Sequence, residues 1–180
     1  MAESNTGRAD SSISETQTAL DKHLAMWETH FWFGVFLAAE NGKEGEEEGE
    51  MIGDCGIHSL RGSCSAWPEI GYKLAEPHRG KGYATEAVAA VLKSWWELPR
   101  GTERVSVHPD TVQRVDPVED GDAGEAPRVK ERIAAQIATY NAASRRVLEK
   151  LGFKHFGTWD EPDTQLHRLG QPIEIGHYVL

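Results

Sequence analysis

The sequence is poor in cysteine, in positive charge and in long apolar runs. Cys55 and Cys64 are the only cysteines among 180 residues, and their spacing suits no metal site. We therefore expect two reduced thiols in an intracellular protein. Lys and Arg number 19 against 29 Asp and Glu, a formal net charge of −10. This balance argues against a nucleic-acid partner and weakly favours a cationic one.

The longest apolar candidate, FWFGVFLAA at 31–39, is the size of a strand. It falls well short of the ~20 residues that a membrane helix needs. Residues 1–12 are polar, lack the apolar core of a signal peptide and are expected to be disordered. We expect no membrane partner and a cytoplasmic protein, with a nuclear location left open. The eight histidines show neither His-x-x-x-His nor His-Glu-x-x-His spacing, so we expect surface or packing roles and no metal.

What the sequence does contain is an ordered series of helical and strand patterns. Hydrophobic periodicity predicts helices near 14–29, 83–98 and 141–153. Strand-type runs occur at 30–40, 51–60, 69–75, 131–139, 153–161 and 172–180, although the alanines of 131–139 would also suit a helix. Residues 103–109 could form a further short strand. The order predicts one mixed α/β domain over 13–180, with a Pro- and Gly-containing loop insertion at about 101–130.

The stretch HRGKGYATEA, residues 78–87, joins a predicted strand to a predicted helix. A glycine-rich turn before a helix start exposes backbone N–H groups at the positive end of the helix, where an anion binds well. Two known phosphate loops do not fit. The P-loop pattern is absent, and Thr85 follows Gly80 and Gly82 where a dinucleotide fingerprint needs its third glycine. Alone, the stretch predicts either an anion site or an ordinary capped helix.

A second stretch, NAASRRVLEKLGF at 141–153, decides between these interpretations. Together the two stretches resemble the GNAT superfamily of N-acetyltransferases, most closely its RimJ/RimL-like branch, the ribosomal-protein N-terminal acetyltransferases. The first family signature, Arg/Gln-x-x-Gly-x-Gly/Ala, is matched over 79–84, and the second by Asn141, Ser144, Gly152 and Phe153. GDCGIHSL also resembles the strand that precedes the cofactor strand. The resemblance covers about residues 14–180.

The resemblance implies a GNAT-type acyl-CoA N-acyltransferase fold, with a mixed, mostly antiparallel sheet flanked by helices. It also implies acetyl-CoA as co-substrate. The backbone of the cofactor strand would pair with the pantetheine arm, the glycine turn would bind the pyrophosphate, and the start of the last helix would lie near the sulfur. The residues so implied are Tyr72, Lys73, Leu74, Arg79, Gly80, Lys81, Gly82, Tyr83, Ala84, Thr85, Asn141 and Ser144.

The activity implied is acetyl transfer to a primary amine, a protein N-terminus or a small amine, by direct attack. Many relatives carry a tyrosine that protonates the leaving thiolate, but Leu148 stands in its place. Ser144 is the expected substitute. The amine also needs a base. Glu69 on the cofactor strand is one candidate, and the acidic group Asp160, Glu161 and Asp163 is the rival.

The sequence departs from the family at its start, because the usual opening strand and helix are not recognisable. Those elements help to form the acceptor pocket in the family. This departure motivates an alternative hypothesis, a catalytically inactive acyl-CoA-binding or scaffold protein that keeps the fold. The oligomeric state cannot be read from the sequence.

Overall fold

The computed structural model describes residues 10–25, 31–38, 49–113 and 129–180. Its helices are α1 (Ile13–Ala25), α2 (Tyr83–Glu97), α3 (Pro109–Gln113) and α4 (Ala142–Lys150). Its strands are β1 (Phe31–Phe36), β2 (Met51–Ser59), β3 (Glu69–Leu74), β4 (Ala134–Ala138), β5 (Lys154–Pro162) and β6 (Pro172–Val179). Short 3-10 helices cover Glu76–His78 and Leu166–Arg168.

The six strands form one sheet in the order β1-β2-β3-β4-β6-β5. All neighbouring strands are antiparallel except β3 and β4, which run parallel. This confirms the prediction of a mixed α/β fold with a mostly antiparallel sheet. In the described part of the chain only α1 precedes β1, and residues 1–9 lie outside it. None of the described helices is long and apolar enough to cross a membrane.

Helices α2 and α4 cover one face of the sheet and form its main core. The apolar stripe of α2 buries Val88, Val91, Leu92 and Trp95. These side chains pack on Ile57 and Ile70 of the sheet and on Leu148 of α4. The helix predicted near 83–98 from its hydrophobic periodicity is therefore confirmed. Burial of such side chains is the main stabilising term of the domain.

A smaller cluster lies on the opposite face of the sheet. It contains Trp67, Ala134, Phe156 and Val179, with Val107, Val112 and Trp159 packed against it. The expected strand at 103–109 is wrong. Residues 101–108 form no regular element, and α3 follows them. Val107 packs on this cluster and the Trp67 indole donates to Thr111 Oγ1 at 2.8 Å, so this segment covers the sheet instead of extending it.

Candidate active site

The sheet divides between β3 and β4, and the division opens a cleft. These two strands share one register pair, Glu69↔Ala134, and diverge beyond it. The cleft has a volume of about 1280 Å³. It is lined by β3, the start of α2, β4, the start of α4 and the segment that follows β5. Two helix N-termini and the free edge of a strand therefore face one space.

The start of α2 is built around two glycines with left-handed backbone. Gly80 has φ +75° and Gly82 has φ +95°, a region that favours glycine. A Cβ placed on either would meet nothing within 4 Å, so the space in front of the turn is open. Gly82 occupies the N-cap position and offers no side-chain acceptor. The first-turn amides of α2 are therefore available to an anion.

The two positive charges beside these glycines are placed differently. Arg79 lines the cleft, and its Nε donates to the carbonyl of Leu74 at 3.1 Å, which fixes the turn to the end of β3. Lys81 is exposed and lies outside the cleft lining. Of the residues expected to bind the pyrophosphate, the cleft lining contains Arg79, Gly80, Gly82, Tyr83, Ala84 and Thr85.

The start of α4 forms the opposite wall of the cleft. Asn141 caps this helix, because its side-chain oxygen accepts a hydrogen bond from the Ser144 amide at 3.1 Å. Both residues line the cleft. Tyr72 extends from β3 to this turn, and its hydroxyl donates to the Ser144 carbonyl at 3.3 Å. Burial raises the pKa of Tyr72, so the phenol stays protonated at neutral pH.

Glu69 lies on the other face of the sheet from Tyr72, because side chains alternate along β3. It is 8% exposed and lines the cleft. Its carboxylate accepts a hydrogen bond from Gln136 Nε2 at 3.0 Å and lies 3.3 Å from His58 Nε2. The cleft thus contains the carboxylate of Glu69, positioned by hydrogen bonding, on one face of the sheet and the hydroxyl groups of Tyr72 and Ser144 on the other.

The rival acidic group is divided by the fold. Asp163 lines the cleft but is 4% exposed, pairs with Arg168 Nε at 2.8 Å and accepts from the Gln165 amide at 2.8 Å, which ties it to the loop after β5. Asp160 is exposed and lies outside the cleft lining. Glu161 lines the cleft but is engaged by Cys64 and His177.

Sequence reasoning missed the hydroxyl of Tyr72 and the two partners of Glu69. The alternation of β3 already placed Tyr72 on the face of the helices, and that pattern was the available signal. No comparable signal existed for His58 and Gln136, because their contact with Glu69 depends on how β2 and β4 lie beside β3. Gly71, which pairs with Gly56 of β2, leaves room for the His58 ring on this face of the sheet. A Cβ on Gly71 would lie only 3.2 Å from Nδ1 of that ring.

Comparison with known proteins bears on the same residues. Residues 2–154 match the family model described as an acetyltransferase (GNAT) domain. The uncharacterized protein YkkB of Bacillus subtilis (strain 168) is 31% identical over 122 residues, 66% of this chain and 54% of the relative. The match therefore spans about half the length of that relative.

Similar folds also occur among solved structures. The microcin C7 self immunity acetyltransferase MccE, solved in complex with acetyl-CoA and AMP, is 15% identical with a TM-score of 0.58, covering 94% of this chain and 71% of that one. The ribosomal-protein-S5-alanine acetyltransferase of Vibrio fischeri is 16% identical with a TM-score of 0.58, covering 96% and 76%. At these identities the likeness shows the shared fold.

Proposed function

The chain belongs to the GNAT acetyltransferase family, and we propose that it transfers the acetyl group of acetyl-CoA to a primary amine by direct attack. One observation carries the proposal: the uncapped glycine start of α2 and the divided strands β3 and β4 open onto the same cleft. An anion-binding helix end beside an unpaired strand edge suits a ligand with a pyrophosphate and an amide-containing arm.

The residues present fit this co-substrate. The first-turn amides of α2 would bind the pyrophosphate, with Arg79 adding positive charge. The backbone of Tyr72–Leu74 would pair with the pantetheine arm, since β3 is not paired with β4 there. The same backbone would donate to the oxyanion that forms on the thioester carbonyl. A solved structural neighbour, MccE, holds acetyl-CoA, which supports this assignment.

Glu69 is the base that the geometry favours. As the new C–N bond forms and the C–S bond breaks, the ammonium proton passes to the Glu69 carboxylate, directly or through water. Gln136 and His58 hold that carboxylate in place. On the other face of the sheet, Ser144 or the Tyr72 hydroxyl would return a proton to the leaving thiolate. Tyr72 enters as a second donor because it contacts the Ser144 turn and remains protonated.

The acceptor would be a protein N-terminus or a small amine, with no nucleic acid or membrane involved. The net charge of −10 favours a cationic acceptor through long-range attraction. The signature residues and the likeness to the Vibrio fischeri enzyme support a place in the RimJ/RimL-like branch. We also propose a cytoplasmic location, and a transfer step that uses no metal because base and donors are side chains.

Calorimetric titration of the folded chain with acetyl-CoA tests the cofactor. We expect saturable binding in the wild type, and loss of binding in Gly82→Trp because the indole fills the anion site. Folded wild-type protein that binds neither acetyl-CoA nor CoA would contradict the proposal.

Transfer is tested with labelled acetyl-CoA and a panel of N-terminal peptides and small amines, read by mass spectrometry. We expect Glu69→Gln to lower kcat about 10²–10⁴-fold while the Kd for acetyl-CoA stays unchanged. Binding without transfer to any amine would favour the alternative, an acyl-CoA-binding or scaffold protein.

A further inference from the structure

Three side chains with metal-ligating atoms meet on the sheet face that carries Glu69. Cys64 lies in the turn between β2 and β3, Glu161 on β5 and His177 on β6. The Cys64 Sγ lies 3.1 Å from Glu161 Oε1, and His177 Nε2 lies 3.2 Å from the same oxygen. All three ligand atoms lie within 4.8 Å of one another. The fold thus gathers a thiol, a carboxylate and an imidazole from separate parts of the chain.

The imidazole is buried and incompletely satisfied. His177 is 1% exposed, and its Nε2 makes no aligned hydrogen bond to the described residues, despite its closeness to Glu161. A buried nitrogen in this state is costly and rare in folded proteins. A metal ion bound at this nitrogen would supply the aligned partner that it lacks here.

Trp159 holds the imidazole of His177 in position. Its ring stacks on His177, with centroids 4.0 Å apart and an interplanar angle of 11°. The same ring also contacts Phe156 and His108, with centroids 5.9 and 5.6 Å away. Partners that orient metal ligands in this way strengthen metal binding. The ligand set is therefore arranged before any ion arrives.

We propose that Cys64, Glu161 and His177 bind a zinc ion. A set of one sulfur, one oxygen and one nitrogen suits zinc, whose bonds of about 2.0–2.3 Å separate tetrahedral ligands by about 3.3–3.7 Å. The observed separations of 3.1 and 3.2 Å need a small expansion, and the third pair, Cys64 and His177, lies within 4.8 Å and closes as the ion binds. Binding would displace the thiol proton of Cys64 to solvent. Glu161 lines the cleft, and a water molecule would complete the four ligands that zinc prefers.

The position of the site gives it a structural consequence. Cys64 belongs to the half of the sheet formed by β1, β2 and β3, whereas Glu161 and His177 belong to the half formed by β4, β6 and β5. A zinc ion would therefore link the two halves across the cleft. Local spacing in the sequence predicts no metal, because Cys64 and Glu161 are 97 residues apart and meet only in the fold.

Titration of the tag-free chain with Co²⁺, a spectroscopic substitute for Zn²⁺, tests the site. We expect one equivalent to give tetrahedral d–d bands and a near-ultraviolet thiolate charge-transfer band, and Zn²⁺ to displace it. Cys64→Ser should abolish the charge-transfer band. Cys64→Ser and His177→Gln should each weaken Zn²⁺ binding at least about 100-fold, more than the loss of an orienting residue typically costs.

Matched controls come from the other cysteine and from an exposed histidine. Cys55→Ala should leave the spectrum unchanged, since Cys55 is buried in the helix-side core and its pKa is raised to about 12. His155→Gln on β5 should also leave it unchanged. A wild-type spectrum without a thiolate band, or the same band in Cys64→Ser, overturns the proposal. The wild-type result decides even if a variant fails to fold, and it does not depend on acetyl-CoA binding.

Discussion

Two helices begin at the same cleft, and they satisfy their first backbone amides in opposite ways. At α4, Asn141 accepts from the Ser144 amide, so the chain provides its own cap. At α2, Gly82 provides none. The end of α4 is thus completed by the protein and serves as a wall. The end of α2 still needs an acceptor, and an anion is the acceptor that a helix N-terminus favours.

Giving α2 a side-chain cap should produce the largest effect. Gly82→Asp places a carboxylate where the pyrophosphate is proposed to bind. A Cβ there meets nothing within 4 Å, but the left-handed backbone at φ +95° strains any side chain, so the control must carry the same strain. Like-charge repulsion costs several kcal/mol, so acetyl-CoA affinity should fall about 100-fold or more. Calorimetry gives the affinity and thermal unfolding checks the fold. The neutral control, Gly82→Asn, should weaken binding about tenfold, near the net value of a charged hydrogen bond. Unchanged affinity in both variants would mean that α2 is not the anion site.

Removing the contact between β3 and α4 should have the next largest effect. Tyr72→Phe loses the hydrogen bond to the Ser144 carbonyl and should lower the free energy of unfolding by about 1.5 kcal/mol. Because burial raises the pKa of Tyr72 in the folded protein, the phenol loses its proton at a lower pH in the unfolded chain, at about pH 10. The contribution of this phenol to the free energy of unfolding of the wild type is therefore complete below that pH and declines above it. Urea unfolding from pH 8 to 11 should show the two proteins converge, and a constant difference would contradict this account.

Removing the cap of α4 should affect stability and spare the anion site. Asn141→Ala should cost about 1 kcal/mol, which lowers the Tm by about 2–4 °C, while acetyl-CoA affinity changes less than about tenfold. Asn141→Asp keeps the capping oxygen and is the matched control. Equal destabilisation by the two substitutions, measured by thermal unfolding, would show that the cap contributes little.

The smallest effect is expected at Lys81, which is exposed and lies outside the cleft lining. Lys81→Ala should weaken acetyl-CoA binding less than about threefold at low salt, and the difference should vanish at high salt because exposed charges are screened. Arg79→Ala, which also frees the Leu74 carbonyl, should weaken it more. If Lys81→Ala has the larger effect at both salt concentrations, Lys81 contacts the pyrophosphate directly.

The difference between local and distant signals also explains what could be predicted from the sequence. The helix that begins near Asn141, the glycine start of α2 and the strand β3 depend on residues close together in the chain, and each was predicted. The segment 101–108 has a strand-like composition, but Val107 packs on the cluster of Trp67 and Phe156. Whether such a segment pairs or packs depends on partners far away in the sequence.

The candidate site follows the same rule. The glycines of α2 and the position of Ser144 were identified from local patterns. The support of Glu69 by His58 and Gln136 was not, and neither was the separation of Asp160 from Glu161 and Asp163. These contacts depend on the register between β2, β3 and β4 and on the path of the chain after β5, which no local pattern specifies.

The junction of β3 and β4 is the weakest line across the sheet, because one register pair joins them. If acetyl-CoA binds as proposed, the pantetheine arm would add main-chain hydrogen bonds along this line. Part of the cohesion of the sheet would then come from a metabolite, and local opening would become rarer as its concentration rises. Hydrogen exchange at the amides of Tyr72–Leu74 would slow with added acetyl-CoA, so the rigidity of the domain would follow the supply of its co-substrate.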